Sequence, residues 1–145
     1  MDELLDIITE ESKKGYHCSN MLVKMFLEIK GTENPDLVAA TSALAGGVGY
    51  TTRYICGCMS GGACSLGLFI CKGQDEQTQH PEEREILAEF IEWFEKEIGE
   101  KYGSCVCQDI VGPDISVRMQ KCPEIIKETY IQILSMLEKY TLLDL

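Results

Sequence analysis

Between Arg53 and Gly73 the chain reads RYICGCMSGGACSLGLFICKG, with four of its eight cysteines, five of its thirteen glycines and charge only near the two ends. Cys56, Cys58 and Cys64 fall within nine residues, and Cys71 follows seven residues after Cys64. Glycine reaches backbone conformations closed to other residues, so such a stretch can wrap tightly round a bound group. The apolar run from Ala63 to Cys71 then reads as a buried helix. A thiol-bearing glycine loop that opens into a buried helix is a candidate ligand cradle. The remaining cysteines are the place to look for the other ligands.

A chain of 145 residues suits one domain, 1–145, and a domain of that size buries roughly 70% of its unfolded surface without covalent staples. The start, MDELLDIITEE, is acidic and lacks the basic head and apolar core of a secretory signal. Leu66 to Ile70 is too short to span a bilayer. A cytoplasmic location without membrane insertion is therefore expected. The net charge of −11 argues against nucleic acid, whose binding needs Lys and Arg against phosphates. Ten acids and two bases lie between Asp75 and Glu100. This run reads first as a solvated helix face, and second as a docking surface for a basic redox partner. Eight cysteines in a reducing compartment point to metal binding or redox chemistry more than to structural disulfides.

Apolar spacing predicts an all-α fold of about six helices. Leu4, Leu5, Ile7 and Ile8 mark a first helix that ends at Gly15. Leu22, Met25, Phe26 and Ile29 mark a second, from about Cys18 to Gly31. Asn34-Pro35-Asp36 is a helix start, with an Asn cap, Pro at the first position and an acid in the first turn. Between Leu37 and Cys71 only Arg53 is charged, which places that segment at the centre of the domain, since unpaired charges are costly to bury. His80-Pro81 opens an amphipathic helix with Leu87, Phe90, Ile91, Phe94 and Ile98 inward and Glu85, Glu89, Glu92 and Lys96 outward. GSCVCQDIVG, from Gly103 to Gly112, reads as a turn and one short helical turn. Lys121-Cys122-Pro123-Glu124 begins the last helix, with Ile126, Tyr130, Ile133, Leu134 and Leu137 inward. No alternating strand pattern occurs.

Cys18, Cys107 and Cys122 fall at or just before predicted helix starts, and Cys56 lies in the loop before another. Helix starts offer unpaired N–H groups and partial positive charge, which favour a thiolate and suit an anionic cofactor. The segments HCSNMLVKMF, CGCMSGG, CQDIVG and CPEIIKETY together resemble the C_GCAxxG_C_C family of redox-active proteins across nearly the whole chain. The resemblance implies that Cys18, Cys56, Cys107 and Cys122 are the functional set, with Cys58 in a place the family usually gives to alanine. The order GCA can also be laid on Gly57-Cys58. The register through Cys56 is taken here because it aligns Gly61 and Gly67-Leu68 as well. The family resemblance implies electron transfer or thiol redox work with a partner protein, and leaves a homodimer open.

Four thiolates from Cys18, Cys56, Cys107 and Cys122 can hold a [2Fe–2S] cluster, preferred here, or a [4Fe–4S] cluster. Cys58 and Cys105 are additional candidates, each forming a CxC pair. The first alternative is a dithiol/disulfide site on the same cysteines, without a cofactor. The second is structural zinc, although paired CxxC knuckles are absent. Cys64 and Cys71 read as small buried hydrophobes. His17 and His80 read as surface or capping residues, which leaves no Rieske-type pair. Covalent haem is not expected without CxxCH. The glycine clusters lack a P-loop's Lys-Ser/Thr, and Cys58→Ala is expected to be tolerated.

Overall fold

The computed structural model describes residues 2–75 and 80–143. Seven helices carry them: α1 Glu3–Lys13, α2 Cys18–Lys30, α3 Pro35–Thr41, α4 Gly57–Ile70, α5 Glu83–Phe94, α6 Cys107–Val111 and α7 Ile115–Lys139. A π turn over Glu95–Gly99 prolongs α5 to Tyr102, where Gly103 turns left-handed. The all-α expectation holds. Among the described residues the only β pairing is one isolated antiparallel bridge between Ile55 and Val106. None of their helices is long and apolar enough to cross a membrane.

Local sequence explains most helix ends. The Asn34 side chain accepts from Leu37 N–H at 3.1 Å and Pro35 occupies the first position of α3. Gly31 closes α2 in the left-handed conformation at φ 75°. The last helix differs from expectation. It begins at Ile115, where the Asp114 carboxylate accepts from Ser116 N–H at 2.9 Å, and it continues through Pro123. Proline lacks the N–H that would bond one turn back, so the site of the interruption lies beside Cys122.

The centre of the molecule is the crossing of α2 and α4. A Cβ on Gly61 would stand 2.5 Å from Ser19 Cα, and one on Gly57 would fall on the Cys18 sulfur. Two helices can approach this closely only where one of them has no side chain. Met21, Leu22, Val23, Met25, Phe26 and Leu27 of α2 are all buried, so that helix is covered on nearly every side rather than along one stripe. Phe90 of α5 and Ile133 of α7 close the core round it.

The uncharged segment divides. Residues 57–70 lie at the centre, but Ala39, Ala40, Val48, Tyr50, Tyr54 and Ile55 are exposed. The scarcity of charge between Leu37 and Ile55, where Arg53 alone is charged, therefore marks a largely exposed surface and not a core. In α1 only Ile8 is buried and Ile7 faces outward, as does Ile29 in α2. The acid-rich segment is a solvated face as expected, with Glu85, Glu92, Glu95, Glu97 and Glu100 exposed.

Candidate functional site

Three chain segments meet where α2, α4 and α6 begin. The strand-like turns before α4 and α6 pair, with Cys56 N–H on Cys105 O at 2.8 Å and Cys107 N–H on Tyr54 O at 2.9 Å. This pairing sets Cys56 beside Cys107. The loop above them, from Gly46 to Thr52, is left-handed at Gly46, Gly47 and Gly49 and also at Val48, Tyr50 and Thr52. Left-handed β-branched and aromatic residues are strained, and such strain persists only where surrounding contacts impose it. Here Thr52 N–H bonds Gly46 O at 2.7 Å, which curls the loop so that the Gly46 amide faces the Cys18 sulfur. Gly47 must be glycine for a second reason: a Cβ there would stand 2.8 Å from Cys107 Cβ.

Cys18, Cys56, Cys58, Cys107 and Cys122 all line one cavity of about 430 Å³. The four sequence-predicted residues thus reach a common wall, and Cys58 stands among them. Cys122 arrives differently from expectation: it lies two turns inside α7, just before Pro123, and not at a helix start. Among the described residues, no three His, Cys, Asp or Glu side chains are grouped as they would be round a single metal ion.

The thiols are electrostatically unequal. Cys18 is lowered to about 7, chiefly because the Cys58 thiol hydrogen-bonds to it, against the cost of burial, with amides of Gly46 and Ser19 also aimed at its sulfur. Cys58 is pushed well up because it keeps the proton it offers to Cys18 and to Cys56, and because it is buried. Burial pushes Cys122 up to about 12, helped by the neighbouring sulfurs of Cys18, Cys56 and Cys107. Cys107 is raised by burial and by Cys56, with the Arg118 guanidinium opposing. Cys18 is thus the thiol eased toward ionisation, beside a Cys58 that is held toward its protonated form. With the thiols free of any bound group, Cys18 should therefore alkylate with a midpoint near pH 7. Cys58→Ala removes the main donor to that thiolate, so the midpoint should rise and the iodoacetamide rate at pH 7 should fall several-fold. An unchanged pH profile would contradict the contact.

Cys56 has a second task. Its sulfur caps α4, accepting from Cys58 N–H at 3.4 Å. Cys105 contributes its backbone to the pairing, but its sulfur packs toward Gly99 in the π turn and does not line the cavity. Cys64 and Cys71 also lie away from it. The Cys71 thiol donates to Glu83 Oε1 at 2.7 Å and is raised to about 11 by burial and by that carboxylate. His17 precedes α2 at the cavity edge, its ring meeting Tyr50 edge-on at 5.2 Å between centroids. His80 lies two residues before the Glu82 cap position of α5, its ring accepting from Glu82 N–H at 3.0 Å, and does not itself cap the helix.

Residue spacing gave no notice of Arg118. It lines the cavity, and its Nε is buried with no hydrogen-bond partner among the described residues. Its position four residues before Cys122 is the signal that would have found it. That signal is visible only once α7 is known to start at Ile115 and not at Lys121.

A family model described as "Putative redox-active protein (C_GCAxxG_C_C)" matches residues 16–136, which hold every cavity-lining cysteine. The chain belongs to the C_GCAxxG_C_C family. No curated protein and no solved structure gives a significant match. The order of letters in the family's description can be laid on Cys18, then Gly57-Cys58-Met59-Ser60-Gly61-Gly62, then Cys107 and Cys122, as well as on the register through Cys56. Both glycines that the C_GCAxxG_C_C pattern names have a steric reason here: a Cβ on Gly57 meets the Cys18 sulfur, and one on Gly62 stands 2.5 Å from the Phe90 ring. In the Gly57-Cys58 register Cys58 is the second cysteine and Met59 takes the alanine place, whereas the register through Cys56, which also aligns Gly61 and Gly67-Leu68, puts Cys58 in the alanine place.

Proposed function

We propose that this protein is a small electron carrier that holds an iron–sulfur cluster on Cys18, Cys58, Cys107 and Cys122 and exchanges electrons with a partner protein. The observation that carries the reading is the convergence of these four thiols, from α2, α4, α6 and α7, on one cavity wall. Thiolates are the ligands such clusters take. The donor set fits in charge as well as in kind. A thiolate-ligated cluster is net negative, and the site offers the Arg118 guanidinium, the Gly46 and Ser19 amides and the start of α2. When bound, the cluster would supply reversible one-electron exchange. The chain's own part is to hold the sulfurs, to offset their charge and to keep the site largely out of water. The reading implies a reducing compartment.

A second reading has its own support. A thiolate at Cys18 in hydrogen-bond contact with the Cys58 thiol is the arrangement of a dithiol pair. Anaerobic purification, followed by visible absorption and assays of iron and acid-labile sulfide, separates the two. The expected result is coloured protein with iron and sulfide in equal amounts. Colourless protein that takes up no iron on reconstitution, and that forms a Cys18–Cys58 disulfide on mild oxidation, would transfer the function to the dithiol.

A further inference from the structure

The cavity is larger and more varied than a cluster site requires. Its volume of about 430 Å³ lies within the range of small-molecule pockets. Beyond the cysteines, Ile8 of α1, Met21 of α2 and Met119 and Ile126 of α7 supply an apolar wall, and Thr9, Ser12, Tyr16, His17 and Tyr50 also reach the lining. Into this apolar space comes Arg118, with a buried Nε that meets no acceptor and no ion pair among the described residues. A buried, unpartnered cationic donor is costly and calls for an explanation. Lys13, the other cation on the lining, is already paired with Glu10 at 3.3 Å.

We infer that the part of the cavity beyond the thiols binds a small organic anion, a monocarboxylate with a short apolar body, whose carboxylate pairs with Arg118. One unpaired guanidinium suits one negative charge, and its fork of donors matches a carboxylate. The aliphatic wall of Ile8, Met21 and Ile126 suits a hydrocarbon body. The inference shares Arg118 with the cluster reading, which uses that guanidinium to offset charge, but it needs the apolar wall and not the sulfurs.

Equilibrium dialysis of the full chain, as purified, against radiolabelled octanoate tests it. Octanoate is expected to bind one per chain. Arg118→Gln should weaken that binding by about tenfold to a hundredfold, the loss of one charge-assisted hydrogen bond. Octanol should bind the native chain more weakly than octanoate by a similar factor and should not respond to Arg118→Gln. Ser12 is an exposed residue on the cavity lining. Ser12→Trp should therefore block entry and abolish binding while the melting temperature holds, a result that stands even if Arg118→Gln folds poorly. Three outcomes would each overturn the inference: no octanoate uptake, equal affinity for octanol, or binding undiminished in Ser12→Trp. Iron content is a separate measurement, so a chain without a cluster that binds octanoate would refute the cluster reading alone.

Discussion

Gly61→Val is expected to abolish stable folding, the largest effect of any single substitution considered. Even the first added carbon would stand 2.5 Å from Ser19 Cα and 2.6 Å from Ser19 O, both backbone atoms of the buried helix α2. A flexible side chain could turn aside, but a helix backbone must move as a body. Ser19 is itself fixed, buried and donating to Thr41 O at 2.8 Å, so a shift of α2 would also disturb α3. Overpacking a well-filled core costs about 1–3 kcal/mol and sometimes more. Gly61→Ala is expected near the top of that range, about 3 kcal/mol, lowering the melting temperature by roughly 10 °C for a chain of this length. The valine, with two further methyls in the same place, should lose the cooperative melt altogether. Gly67→Ala is the internal control: it sits in the same helix, and its Cβ would meet nothing closer than the Cys71 sulfur at 4.0 Å. A Gly61→Ala protein as stable as Gly67→Ala would show that α2 and α4 do not cross as described.

The second large effect is on cofactor content across the thiols. Replacing Cys18, Cys58, Cys107 or Cys122 singly by serine should each reduce iron per protein by an order of magnitude or more. Stability should fall along with it, because metal binding in such a site is coupled to folding. Cys64→Ala, Cys71→Ala and Cys105→Ala should retain iron, since none of these residues lines the cavity. Cys56→Ser is the discriminating variant. If Cys56 serves as the cap of α4, its replacement by serine, a preferred capping residue, should keep the cluster. If Cys56 is the ligand and Cys58 the bystander, the two results will exchange places. Equal loss at all eight cysteines would sink the four-ligand assignment and leave only a thiol-rich core.

The sequence carried the helices well because their signals are local. Asn34-Pro35 at the start of α3 and Gly31 and Gly103 at helix ends act through bonds within a few residues, so they can be read without knowing the fold. The inward faces of α5 and α7 were legible for a related reason, since a helix with one wet face must repeat its apolar residues every three or four positions. α2 runs Cys18–Lys30, the range its spacing predicts, although it is buried on nearly every side and Ile29 of the predicted stripe faces outward. The start of α7 was hidden because Pro123 reads as the beginning of a helix, while the cap at Asp114 is a single residue that could equally start a turn.

What the sequence determined by itself was the cast of residues: an all-α chain, four cysteines in the order of a redox-active family, and a glycine-rich entry to α4 too specific to be a linker. Which sulfurs touch was decided by the tertiary structure. Cys18 and Cys58 are forty residues apart, and they meet only because Gly57 and Gly61 let α2 and α4 approach to backbone contact. Cys56 and Cys107 are neighbours only because two turns pair at Ile55 and Val106. Arg118 faces the thiols because α7 begins a turn and a half earlier than its proline suggests. The apolar stretch from Val48 to Ile55 looked like core, yet it lies at the surface, since a run of left-handed residues turns it away from the helices that would have covered it. Composition fixes what a segment would gain by burial. Whether it is buried depends on the path of the chain on either side, and that path is set by contacts between residues far apart in sequence.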